Sequence, residues 1–158
     1  MAEIEYYNQS MNIRTKTRAT AIVIRDGHAL LIHRKNEKEY FVFPGGGVEE
    51  GETPECAVIR EVMEETSIEV RLVRLLESKL YDDGSENISY LCEYISGEPR
   101  LADDSPERRE MKVGVQYYDP VWIKISDIRD MVNVYPESTR LELLKMSTSS
   151  SNLNRNKL

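Results

Sequence analysis

The sequence predicts an α/β domain in which a mixed β-sheet is covered by helices. Two patterns carry that prediction. Short β-branched or aromatic runs, bounded by Gly, Pro and Asp, recur between Ala19 and Ile125. They are interrupted by one strongly signalled helix after Thr53 and by further helical patterns near the C-terminus. Size is the third observation: 158 residues at 40% apolar suffice for one ordinary domain, with no disulfide framework needed to hold its core.

Each element has a local reason. Ala19 to Arg25 is a β-branched run, Asp26-Gly27 is a two-residue hairpin turn, and His28 to Arg34 returns as a second strand. After a polar loop, Lys35 to Glu39, the aromatic stretch Tyr40 to Phe43 reads as a short strand. Pro44-Gly45-Gly46-Gly47 is then expected to stop regular structure and let the backbone come close to a ligand. Thr53 is placed to cap a helix, Pro54 suits its first position, and Glu55 complements the positive end of its dipole. Val58, Ile59, Val62 and Met63 supply its expected apolar stripe.

Alternation of Ile68, Val70 and Leu72 with Glu69 and Arg71 marks a strand that continues to Leu80, followed by a turn at Asp82-Asp83-Gly84. Ile88 to Ile95 is apolar on both faces, as a central strand should be, and Gly97-Glu98-Pro99 ends it. A charged loop is expected from Arg100 to Lys112. Val121, Trp122, Ile123 and Ile125 form a last buried strand, Ser126 is placed to cap a short helix, and Pro136 precedes a helix carrying Leu141, Leu143 and Leu144. No repeat or linker divides residues 1–146, which read as a single domain, and residues 147–158, rich in Ser and Asn, read as a disordered tail.

Charge narrows the function. The net charge is -7, and its excess is focused between Glu49 and Glu69, where eight glutamates face the single Arg60. Glu61, Glu64 and Glu65 stand three and four apart, so one helix face presents three carboxylates in a small region. Such a cluster is costly without a cation, and a hard divalent metal with oxygen ligands, Mg²⁺ most simply, relieves it and keeps positions open for phosphate oxygens. Arg60 is within reach of Glu64 along the helix or of Glu52 behind it, and the glycine loop offers carbonyl ligands.

Gly46 to Ile68 resembles the box of the MutT-like Nudix hydrolases, G-x5-E-x7-R-E-U-x-E-E-x-G-U with U a bulky aliphatic residue. It reads here as Gly46, Glu52, Arg60, Glu61, Val62, Glu64, Glu65, Ser67 and Ile68, with Ser67 replacing the family glycine just past the helix. Pro44-Gly45 and the Trp122 strand extend the likeness. The resemblance implies an α/β/α sandwich with a mixed sheet. It also implies a pyrophosphohydrolase, a hydrolase acting on acid anhydrides, that cleaves a nucleoside diphosphate linked to another moiety by water attack on phosphorus. Carried over by position, Glu61, Glu64, Glu65 and the Gly45 carbonyl would bind Mg²⁺, with Mn²⁺ as a substitute, and Glu52 and Arg60 would be an orienting pair. Glu61 is the first choice of base; an acid of the later loop, Glu107 or Glu110, is the alternative. Gly46 and Arg34 are candidate substrate contacts, Arg34 equally an ordinary surface residue.

The remaining candidates read more plainly. His28 and His33 are expected to be structural or exposed, Cys56 and Cys92 to be small buried side chains, and Tyr40, Phe41 and Phe43 to be core aromatics. A non-catalytic nucleotide sensor on the same fold is the alternative function. An RNA-end hydrolase would need a stronger basic track than Arg14, Lys16, Arg18, Arg34 and Lys35 provide, and the acidic balance argues against nucleic-acid binding. The substrate, the number of metals and the possibility of a homodimer stay open. With two cysteines, no apolar run of roughly 20 residues and no basic or apolar start, the expected location is the cytoplasm, away from membranes.

Overall fold

A computed structural model of the chain describes residues 16–155 except 102, 105, 113 and 115. Strand β1 (Thr17–Arg25) turns at Asp26-Gly27 into β2 (His28–Lys35), and both turn residues take the positive φ that this hairpin demands. There follow β3 (Glu39–Val42), β4 (Gly45–Gly47), α1 (Pro54–Thr66), β5 (Glu69–Leu80), β6 (Glu86–Ser96), α2 (Pro106–Lys112), β7 (Tyr117–Lys124), α3 (Ile125–Asp130), β8 (Val134–Tyr135) and α4 (Glu137–Arg155).

All eight strands join one mixed sheet of order β5-β6-β1-β2-β3-β8, from which β4 branches beside β1 and β7 beside β2. The two hairpin strands pair only next to their turn, Ile24 with Ala29 and Arg25 with His28. Beyond that they part. β1 takes β6 in parallel along one side and the short β4 antiparallel on the other, while β2 takes β3 and β7. The sheet therefore curls open next to β4, and this opening is where the glycines lie.

Alternation along β1 sends side chains to two cores. Ala19, Ala21 and Val23 meet Ala57, Val58 and Val62 of α1, whereas Ile22, with Leu31 and Phe43, meets Ile128 of α3 and Leu143 of α4. The result is the predicted helix, sheet, helix sandwich with a mixed sheet. A third, smaller cluster of Ile32, Val42, Leu101 and Tyr118 closes the β2/β3/β7 end. None of the described helices is long and apolar enough to cross a membrane.

Several local expectations are revised. The glycine stretch does not stop regular structure: Gly45 to Gly47 pair with Thr20, Ala19 and Arg18 as strand β4. The charged loop after Arg100 contains α2. Ser126 does not cap α3, whose cap position is Lys124 with no side-chain bond. The helix α4 continues to Arg155, so residues 147–155 of the expected disordered tail are helical here. Its hydroxyls turn back on the helix, Thr148 Oγ1 donating to the Leu144 carbonyl (3.0 Å) and Ser149 Oγ to that of Lys145 (3.1 Å). The rest of that tail, the N-terminal 15 residues and the Arg14 reading lie outside the described residues.

Candidate active site

Helix α1 starts and stops as its sequence dictates. Thr53 Oγ1 accepts the Cys56 N–H at 3.2 Å, Pro54 fills the first turn, and the helix closes on Ser67 in the left-handed region at φ 57°. The N–H of Ser67 donates to the Met63 carbonyl and its Oγ to the Arg100 carbonyl, each at 2.9 Å. The buried face differs from the expected stripe. Ala57, Val58, Glu61, Val62 and Thr66 face the sheet, whereas Ile59 is 39% and Met63 45% exposed. The helix is rolled toward β4, which draws Glu61 under the glycine strand and swings Ile59 and Met63 past the edge of the core. Cys56, expected to be buried, is exposed on the same helix, while Cys92 is buried as expected and its thiol is pushed up to about 12.

The roll brings glutamates and glycines together. Glu61 is only 6% exposed and lies against Gly46 so closely that a Cβ there would come within 2.4 Å of its carboxylate. Glu65 Oε2 accepts the Gly45 N–H at 3.0 Å. Gly45 in turn has no room for a side chain, because a Cβ would stand 2.3 Å from the Ala19 carbonyl oxygen. Both glycines are thus dictated by close approach, one of a carboxylate and one of a neighbouring strand.

Arg60 organises the cluster. Its Nε and Nη2 hold both oxygens of Glu52 at 2.8 and 2.9 Å, Nη1 donates to Glu61 Oε1 at 2.9 Å and Glu64 Oε2 at 3.3 Å, and Nη2 also reaches the Gly47 carbonyl at 3.2 Å. The two-toothed bond is the stiff part of this array. It holds the Glu52 carboxyl below its ordinary range and the guanidinium firmly charged. Burial pushes Glu61 up, against the pull of Arg60. Burial, reinforced by the Glu61 charge, pushes Glu65 up to about 8, with Arg18 opposing and Glu107 adding to the pressure. Arg18 escaped the sequence reading as a member of this cluster, since it is on β1 and only the β1–β4 pairing brings it near.

Three carboxylates within little more than one helical turn, that of Glu61 buried and that of Glu65 half-buried, are hard-oxygen donors of the kind a divalent cation takes. Among the described residues no three such side chains converge on one point. Arg60 takes up Glu61 and Glu64, and it is the N–H of Gly45, not the expected carbonyl, that is seen engaged.

The other candidates are engaged by their own neighbours. The Arg34 guanidinium lies over the Tyr118 ring, 4.4 Å from its centroid, and 6.0 Å from that of Tyr40. Glu110 accepts the Tyr118 hydroxyl at 2.5 Å. His33 is bonded to Glu39 at 2.7 Å and stacked on Phe41, and His28 is bonded to the Asp26 carbonyl, so both are structural.

Glycine strand, capped helix and box glutamates coincide with what comparison finds: the family model described as the NUDIX domain matches residues 15–139. The chain belongs to the Nudix family. Among curated relatives it is similar to the ADP-ribose pyrophosphatase of Methanocaldococcus jannaschii, 39% identical over 93 residues, which cover 54% of this chain and 55% of the relative. The chain thus spans about half the length of that protein. It is also similar to the nucleoside triphosphatase NudI of Escherichia coli, 27% identical over 128 residues, covering 73% of this chain and 86% of the relative. Among solved structures, a Nudix hydrolase from Nitrosomonas europaea shares the fold with a TM-score of 0.64 at 18% identity, covering 84% of this chain and 88% of that one.

The raised Glu65 gives this Nudix chain a testable pH signature. Its carboxyl stands at about 8 when folded against an ordinary value of 4.5. Between these values the folded form binds more protons than the unfolded form, so stability falls as pH rises through that window. Melts in chelator from pH 5 to 9 are expected to show Tm declining toward pH 8, and Glu65→Gln to flatten the decline. Parallel curves for the two proteins would remove Glu65 as its source.

Proposed function

We propose that this chain is a cytoplasmic pyrophosphohydrolase that uses a divalent cation, Mg²⁺ or in its place Mn²⁺, to hydrolyse the diphosphate of a small nucleotide derivative. The observation that carries the reading is the burial of Glu61 beneath the glycine strand, with Glu65 bonded to the Gly45 N–H and Arg60 and Glu52 locked beside them. An ordinary solvated acidic face does not bury its charges. The pyrophosphatase and nucleoside triphosphatase names of the relatives point to the same bond class.

Glu61, Glu64 and Glu65 would hold the cation, which when bound supplies neutralisation of the diphosphate oxygens and acidification of a water. Arg60 fixes Glu61 through Oε1 and leaves Oε2 to receive a proton from the attacking water, the role of general base. Glu52 keeps Arg60 from swinging away. Gly46, lacking a side chain, leaves room for the Glu61 carboxylate against the glycine strand, and Arg34 on its aromatic shelf would meet the nucleotide part.

Incubation with a panel of nucleoside diphosphate derivatives in Mg²⁺, with products identified in ¹⁸O-labelled water, tests the activity and names the phosphorus attacked. Saturable nucleotide binding with no turnover of any panel member would replace the enzyme with a nucleotide sensor.

The metal reading has its own check. Without metal, Glu64→Gln is expected to melt close to wild type, because the Arg60 ion pair whose charge it loses is half-exposed and worth roughly 0.5 kcal/mol, while repulsion of Glu61 is relieved. At a hundredfold excess over its dissociation constant, Mg²⁺ should stabilise the wild type by about 2.7 kcal/mol and the variant by clearly less. Equal shifts in both proteins would exclude Glu64 from the metal site.

A further inference from the structure

Behind the glycine strand, on the side away from α1, four polar side chains are fully or almost fully buried together. They are Thr20 on β1, Asn87 and Ser89 on β6 and Thr139 on α4. Thr20 Oγ1 donates to Asn87 Oδ1 at 2.6 Å, and Asn87 Nδ2 donates to Ser89 Oγ at 3.2 Å and Thr139 Oγ1 at 3.3 Å. Ser89 and Thr139 hydroxyls lie 2.8 Å apart. Such a network is tolerated in a core only in the arrangement that satisfies every member, so it fixes one relative placement of the elements that carry it.

Of those elements, β1 borders the glycine strand directly and carries β6 on its other side. Thr20 is the register partner of Gly45. The chain segment that delivers Thr139 also accepts the Phe43 N–H on the Tyr135 carbonyl at 2.9 Å, and the next carbonyl, that of Pro44, accepts the Ala21 N–H at 2.8 Å. The segment from Val134 to Thr139 therefore grips the chain just before Gly45 and, through the network, the strand that Gly45 pairs with. β4 is three residues long, too short to hold its place by its own ladder.

We infer that Thr20, Asn87, Ser89 and Thr139 act as positioning residues that pin the glycine strand, and with it the Gly45 N–H that holds Glu65, from the opposite face of the sheet. This inference rests on the proposed function for its catalytic consequence but not for its structural one. Thr20→Val keeps shape and β-branching while leaving Asn87 Oδ1 buried without its closest donor, a costly state that opening of the short β4 would relieve by admitting water. Thr20→Ser restores the hydroxyl.

The direct readout is amide hydrogen exchange of Gly45, measured against Val23, a core position further along β1. In Thr20→Val, and independently in Thr139→Val, Gly45 exchange is expected to quicken by about tenfold with Val23 unchanged, the pattern of a local opening. Thr20→Ser should return it to wild type. On a substrate identified by the panel, kcat should fall with KM nearly constant, and the serine variant should recover it. If Gly45 and Val23 quicken together, or neither changes, the cluster is ordinary core and the inference fails. A loosened Gly45 with unchanged kcat would also overturn it. A wild type inactive on every panel member would remove the proposed function, while the exchange comparison would still decide the pin.

Discussion

Glu61→Gln is expected to lower kcat by at least about a hundredfold while Tm stays within about 2 °C of wild type, the signature of a lost base and metal charge rather than a lost fold. Glutamine is nearly isosteric and its Oε1 can still accept the Arg60 bond, so the packing beneath Gly46 is kept. What disappears is the charge, together with the oxygen basic enough to take a proton from water. Steady-state kinetics beside a thermal melt check both halves, and a wild-type rate in this variant would sink the site assignment. Glu110→Gln provides the contrast. Its carboxylate is occupied with the Tyr118 hydroxyl, so a loss as large as that of Glu61→Gln would place the base on α2 instead.

Gly45→Ala should produce the largest loss of stability of any single methyl group added to the site. The new carbon would lie 2.3 Å from the Ala19 carbonyl oxygen and 2.8 Å from the Thr20 Cα, both backbone atoms of a central strand that cannot step aside. β4 must move instead, giving up its pairing with β1 and the bond to Glu65. Overpacking of this kind costs roughly 2–4 kcal/mol. At this chain length that corresponds to a Tm lower by about 5–15 °C, with activity lost in parallel. Denaturant or thermal unfolding measures it, and an unchanged midpoint would mean that β4 is free to shift.

Much of this site is legible in the order of residues because its signals are local. The spacing of Glu52, Arg60, Glu61, Glu64 and Glu65, the Thr53 cap and the Asp26-Gly27 turn all act within a few residues or along one helix. What escaped the sequence depends on distant partners. A run of glycines carries no side-chain pattern, so the strand Gly45–Gly47 exists only because β1, some 25 residues earlier, is there to pair with it. The roll of α1 cannot be read from its own apolar residues either, since Ile59 and Val58 are equally hydrophobic and only the curl of the sheet decides which is buried. The buried hydroxyls of Thr20 and Thr139 look in sequence like any other threonines, because the Asn87 that unites them lies 67 residues from the first and 52 from the second.

The serine that closes α1 has a consequence for exchanging parts between relatives. Ser67 does what the family glycine does for the turn, and its hydroxyl also moors the Arg100 carbonyl while the Arg100 N–H returns to the Thr66 carbonyl at 2.9 Å. The root of the segment leading to α2 is thereby stitched to the end of the glutamate helix. A chimera that imports this segment from a glycine-bearing cousin would arrive with one stitch already made by the main chain. It would keep the second only if the host's serine still found a carbonyl at that spot, so the two pieces are better transplanted as one module.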